Sequence, residues 1–194
     1  LSLHDALPIS LDAAAKLLRP EASGGGSGDA GAGAGEEAPA DAETVAGELL
    51  RAHEGDELVA EALKRGFDKM PRAGAALLTA ALAGDAVNDA KCASIKRAAK
   101  LLKKLLALAE LGAQVDAIEA VQAVFDKASF PKTPKGESVL SSVFMKLFEL
   151  EIIPDEAFLA WRDANKSTTP GRATALAQTK AFLGILEDED EEED

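Results

Sequence analysis

The chain predicts an all-α protein, a solenoid of about eight antiparallel helices forming one domain with appendages. Three observations carry that expectation. From Asp41 onward apolar residues recur at i, i+3 and i+4, β-branched alternation is absent, and the glycines fall mostly between the periodic stretches. At 194 residues and 47% apolar, the chain can bury one substantial core. Helices joined in series by short turns favour antiparallel pairs stacked side by side, although no strict repeat is visible.

Residues 1–9, LSLHDALPI, read as the translation of a sequencing adapter and lack the basic and apolar regions of a signal peptide. On that reading the chain is a fragment of a longer protein. Positions 10–42 are assigned to a linker: EASGGGSGDAGAGAGEEAPADA, at 21–42, has no bulky apolar side chain to offset its ordering entropy and is expected to be flexible. The folded domain is placed at 43–186. Leu58, Val59, Ala62, Leu63, Phe67 and Met70 form a first apolar stripe, which Pro71 and Gly74 are expected to end. In IKRAAKLLKKLL, at 95–106, Lys96, Arg97, Lys100, Lys103 and Lys104 lie on one face, opposite Ile95, Leu101, Leu102 and Leu105. That helix reads as a solenoid element with a basic outer face, and a secondary partner surface there stays open.

Val115, Ile118, Val121 and Phe125 repeat the stripe before the FPKTPKG loop at 130–136. Val139, Leu140, Val143, Phe144 and Leu147 form the next helix. Pro154, Asp155 and Glu156 suit a first helical turn, and Thr169-Pro170 is expected to open the last helix in the same way. The eight acids at 187–194 cannot pack against one another and are expected to form a disordered tail.

Of the formal net charge of −13, eight units belong to that tail. Acidity of this degree opposes a phosphate backbone and suits a basic protein partner, so direct nucleic-acid binding is not expected. Cys92 is the single cysteine, which excludes an intrachain disulfide and suits a reducing compartment. Apolar runs are interrupted every few residues, leaving nothing of about 18 residues to span a bilayer. A soluble, monomeric, cytoplasmic protein is expected. Enzyme chemistry, cofactor and metal are not: His4 falls in the adapter-like segment, His53 stands alone beside Glu54 and Gly55, and Cys92 has no CxxC partner. The glycine cluster at 24–35 lacks the GK[ST] and GxGxxG patterns of phosphate cradles.

The C-terminal segment is the most informative. FELEIIPDEAFLAW at 148–161, a polar break, a further helix and an acidic end resemble the C-terminal HEAT-type domain, the two-tryptophan domain, of eukaryotic translation initiation factors. Its first aromatic and acidic box is matched by Phe148, Glu149, Glu151, Asp155, Glu156, Phe158 and Trp161; its second by Phe182 and the run beginning Glu187, Asp188, Glu189 and Asp190. Ile185 stands where the family usually places its second tryptophan. EIIPDEAFLAW followed by PGRATALAQTKAFLGIL is most similar to the factor 4-gamma scaffold group. The factor 2B epsilon subunit, with guanine-nucleotide exchange on factor 2, and factor 5 are the alternatives, and an acidic chaperone for basic proteins is a third reading. The resemblance implies a protein-binding adaptor whose boxes and exposed aromatic rims dock basic segments, from factor 2 beta or a MAP-kinase-interacting kinase. Periodicity alone makes Phe148, Phe158 and Trp161 core residues; whether Glu149, Glu151, Asp155 and Glu156 are a partner surface or a solvated face stays open.

Overall fold

The structure is a computed structural model that describes residues 41–164 and 167–192, with side chains as far as Glu187. The assignments made above to residues 1–40 and to the Asp188, Glu189 and Asp190 side chains lie outside the described residues. All elements below belong to the unit Ala38–Asp194.

Among the described residues eight α-helices follow in order: α1 (Ala42–Ala52), α2 (Gly55–Lys64), α3 (Ala73–Ala81), α4 (Ala93–Leu106), α5 (Leu111–Lys127), α6 (Val139–Glu149), α7 (Asp155–Asp163) and α8 (Arg172–Glu192). Short 3-10 turns at Phe67–Lys69 and Gly84–Asn88 link α2 to α3 and α3 to α4. No strand forms among the described residues; the only pairing of that kind is the isolated bridge between Lys132 and Ser138. The fold is thus all-α, with the helix number and solenoid arrangement expected from the periodicity. Helices α1, α3, α5 and α7 pack in series as one layer, while α2 packs on α4 and α6 on α8 in the other. The core runs between the layers. Leu49, Leu77, Leu78, Ile95, Leu101, Leu102, Ile118, Val121 and Phe125 are fully buried in it.

Four boundaries differ from the sequence reading. The stripe from Leu58 to Met70 is not one helix, because Gly66 takes the left-handed conformation at φ 67° and ends α2. Phe67 is buried beyond that break, while Leu63 turns out to be surface-exposed. Gly74 does not stop a helix. It lies inside α3, where a Cβ would come 2.4 Å from Leu106 Cδ2, so it serves close packing of α3 on α4. The last helix begins at Arg172, after a Pro170–Gly171 turn with Gly171 at φ 74°, and not at Thr169. At its other end α8 continues as far as Glu192, into the run expected to be disordered. Extending an existing helix adds a hydrogen bond for each residue fixed, and glutamate is a good helix former.

The start of α4 has an unusual cap. Cys92 sits at the N-cap in a left-handed conformation with φ 53°, its Sγ donating to the Ala90 and Ser142 carbonyls at 3.6 and 3.7 Å. Burial, more than the nearby Asp89 charge, pushes its thiol pKa up to about 11. Asp89 satisfies the first amide of the helix, its carboxylate accepting from Ala93 N and, in the preceding turn, from Lys91 N, both at 2.9 Å. Those two bonds, Ala93 first, hold the Asp89 pKa below its ordinary value.

A depressed carboxylate pKa means stability that is present above the unfolded value and lost as the pH falls through the folded one. Asp89→Ala is therefore expected to cost about 1 kcal/mol near neutral pH. The difference from the parent should shrink once the pH drops below 3.8. Urea unfolding of both proteins at neutral and acidic pH measures it; an undiminished gap in acid would show that the side chain acts by something other than its charge.

Candidate partner-binding site

The aromatic members of the two boxes are brought together, but inside the protein. Phe158 and Trp161 on α7 and Phe182 on α8 are at most 1% exposed. Phe144 of α6 lies at their centre, with ring centroids 5.2 Å from Phe158, 5.3 Å from Trp161 and 6.0 Å from Phe182. Phe158 and Phe182 meet edge to face at 5.0 Å. Phe158 and Trp161 are core residues, as their periodicity predicts, and the partner contact that the resemblance implies for Phe158, Trp161 and Phe182 is corrected: all three rings are buried in the α6–α7–α8 core. Phe148 alone is half-buried, 6.3 Å from Phe182.

Trp161 also has a polar function in the core. Its Nε1 donates to Gln122 Oε1 at 3.0 Å, and Gln122 Nε2 donates to the carbonyls of Thr169 and Pro170 at 3.0 and 2.7 Å. Gln122, on α5, is fully buried, so an unpaired amide there would carry a desolvation cost of a few kcal/mol. Arg172 closes the opposite side, donating from Nη2 to the Trp161 and Arg162 carbonyls at 2.6 and 3.0 Å, with its guanidinium 5.4 Å above the indole. A cation at the end of α7 complements the helix dipole and stacks on the ring. The turn before α8 is equally constrained, since a Cβ at Gly171 would meet Asp126 Oδ1 at 2.5 Å and Phe130 Cζ at 2.7 Å. Gln122 and Arg172 were not singled out by the sequence reading; a glutamine in an otherwise apolar helix stripe was the one available signal.

The carboxylates of the first box do face water, and two of the four, like Glu187 of the second box, already have cations. Glu151 Oε2 accepts from Lys103 Nζ at 2.8 Å, and this bond first, then the charge, lowers the Glu151 pKa. Glu149 pairs with Lys146, and Glu187 with Arg162. Among the described residues, Asp155 and Glu156 form no ion pair. Lys103, Ala107, Phe148, Glu151, Ile153, Pro154 and Asp155 line one open groove of about 410 Å³. Its floor is apolar, its rim carries two carboxylates, and Lys103 stands across it.

The secondary basic face is partly occupied too. Lys100 Nζ reaches Asp56 Oδ1 on α2 at 2.8 Å, and Arg97 donates to the Leu50 carbonyl. Lys96 and Lys104 stay exposed and form no ion pair among the described residues. Ile185, where an indole was expected in a relative, is 44% exposed on α8. Among the described residues no group of His, Cys, Asp and Glu is placed to hold a metal ion, and no helix is long and apolar enough to cross a membrane.

Residues 113–194 match the family model described as W2: eIF4-gamma/eIF5/eIF2-epsilon. An 80-residue stretch is 39% identical to eukaryotic translation initiation factor 4 gamma 2 of Mus musculus. It is 38% identical to the proteins of that name from Homo sapiens and Bos taurus. Each alignment covers 41% of this chain and 8% of the relative, so the matched region is a small part of those proteins.

Because Trp161 is the single tryptophan and is fully buried, the native chain should fluoresce at short wavelength and resist acrylamide quenching. Trp161→Ala is expected to lose about 3–5 kcal/mol, a large part of a typical domain stability of about 5–15 kcal/mol. Chemical denaturation followed by circular dichroism measures the loss. A variant that unfolds like the parent would place the indole on the surface.

Proposed function

We propose that this chain, whose residues 113–194 match the W2 family model, acts as a protein-binding adaptor of a translation initiation factor. The observation that supports the reading is that the W2 match includes the aromatic and acidic segment from Phe148 to Asp155, which lines the open groove together with Lys103 and Ala107 on the α4 side. The relatives named factor 4 gamma 2 favour a scaffold over an exchange-factor subunit. The partner is a lysine-rich segment, of the kind that factor 2 beta or a MAP-kinase-interacting kinase would supply.

In this mechanism the acidic rim attracts the segment over about a Debye length, and short-range contact follows against Phe148 and Pro154. Docking at Glu151 is an exchange, because Lys103 already holds that carboxylate. Asp155 and Glu156 offer charge that needs no such exchange. Phe158, Trp161 and Phe182 contribute by fixing the α6–α7–α8 frame that carries the rim.

Replacing Asp155 and Glu156 by Asn and Gln should slow association with a synthetic lysine-rich peptide about two- to tenfold at low salt, with less effect on dissociation. Neutralising Glu149 or Glu187 should matter less, since each has a cation beside it. Lys103→Gln should raise affinity by freeing Glu151 and removing a like charge. Binding kinetics across a salt series, with helicity checked by circular dichroism, test this. Association that ignores both salt and the substitutions would refute acidic docking and turn attention to Lys96 and Lys104.

A further inference from the structure

The FPKTPKG connection between α5 and α6 has no part in the groove. Within it, Thr133 N donates to the Glu137 carbonyl at 2.9 Å and Gly136 N donates to the Thr133 carbonyl at 2.8 Å, making a tight turn. Thr133 Oγ1 lies at the exposed edge of that turn, accepting from Glu137 N at 3.2 Å and standing 3.5 Å from Glu137 Oε2. Thr133 is half-buried, and its neighbours Lys132, Pro134, Lys135, Gly136 and Glu137 are all exposed. These few bonds, made at the solvent edge and away from the apolar core, belong to the class that opens locally without global unfolding.

We propose that Thr133 is a phosphorylation site for a proline-directed Ser/Thr kinase. Such a kinase reads a residue after the acceptor that has no N–H to satisfy, and Pro134 supplies it. Proline also restricts Thr133 to extended backbone, the form a substrate strand takes in a kinase cleft. The chain has one other such dipeptide, Thr169-Pro170, and the structure separates the two. The carbonyls of Thr169 and Pro170 both accept from buried Gln122, so presenting that segment would break the polar network around Trp161. Presenting Thr133 opens the turn and the adjoining Lys132–Ser138 bridge, and leaves the polar network around Trp161 intact.

In the step, the Thr133 hydroxyl oxygen attacks the γ-phosphorus of ATP and forms a P–O bond. The bond from the γ-phosphorus to the bridging oxygen of ADP breaks, and the hydroxyl proton passes to the kinase's base. The product gains about −1.5 to −2 charges at neutral pH. The loop then changes sign, because the phosphate outweighs the balance left by Lys132, Lys135 and Glu137. The surface altered is separate from the acidic groove, so the proposal stands independently of the docking reading.

The test uses the full chain with MgATP and a purified proline-directed kinase active on a peptide of residues 130–138. One phosphoryl group per chain, mapped to Thr133, is expected. Thr133→Val and Pro134→Ala should each abolish incorporation, whereas Thr169→Val should leave it unchanged; unfolding curves confirm that the variants fold. Pro134→Ala keeps the hydroxyl and so separates recognition from loss of the acceptor. The proposal is overturned if the peptide is modified but the folded chain is not, if the label maps elsewhere, or if either loop variant is still modified.

Discussion

The C-terminal half depends on keeping the Trp161–Gln122 pair dry and fully bonded. Gln122 belongs to α5, Trp161 to α7, and the remaining acceptors to the segment leading into α8, so one side-chain amide ties three parts of the chain together. Losing any partner would leave a buried group unsatisfied at a cost of about 1–3 kcal/mol. An exposed ion pair contributes about 0–1 kcal/mol. The buried network, with the Phe144 ring cluster beside it, therefore decides how α7 and α8 sit on α5 and α6, and the surface pairs only decorate that choice. Arg172 reinforces it from outside by donating to the Trp161 and Arg162 carbonyls at the end of α7, the first of which it shares with Ala164 N.

The same frame determines what the acidic residues can do. It carries Glu151 to Lys103, Glu149 to Lys146 and Glu187 to Arg162, so much of the local negative charge is neutralised within the chain. A cationic partner would then gain the difference between its own pairing and the internal one, which is small for exposed groups. Such a surface suits fast, salt-sensitive and readily reversed contact better than tight binding. Long-lived attachment would need apolar contact in addition, and the half-buried Phe148 with Pro154 is where the groove offers it.

Periodicity made the helices legible because burying one face imposes a repeat that survives in any sequence. Val139, Leu140, Val143, Phe144 and Leu147 were read as one stripe and are all buried. The misses arise where a single residue has two opposed uses. Gly66 breaks a helix by adopting positive φ, whereas Gly74 stays helical because Leu106 fills the space a side chain would need. Only tertiary context separates those cases. Contacts such as Lys103–Glu151 and Gln122–Trp161 join residues far apart in the chain, so no local pattern announces them. The basic face and the acidic box looked like separate surfaces in sequence; folding brings one lysine of the first onto one glutamate of the second.

The two positions of the aromatic pattern consequently have different physical meanings. Trp161 is surrounded on all sides and bonded through Nε1, so its ring and its N–H are both requirements of the fold. Ile185 is 44% exposed on α8, with no comparable enclosure, so the absence of an indole there removes nothing from the core. An exposed tryptophan would add a large amphipathic contact to a docking surface. Isoleucine keeps an apolar contact of smaller area and provides no donor. Under the adaptor reading, the fold is thus secured by the tryptophan this chain has, while the departure at Ile185 bears on partner strength and selectivity along the outer face of α8.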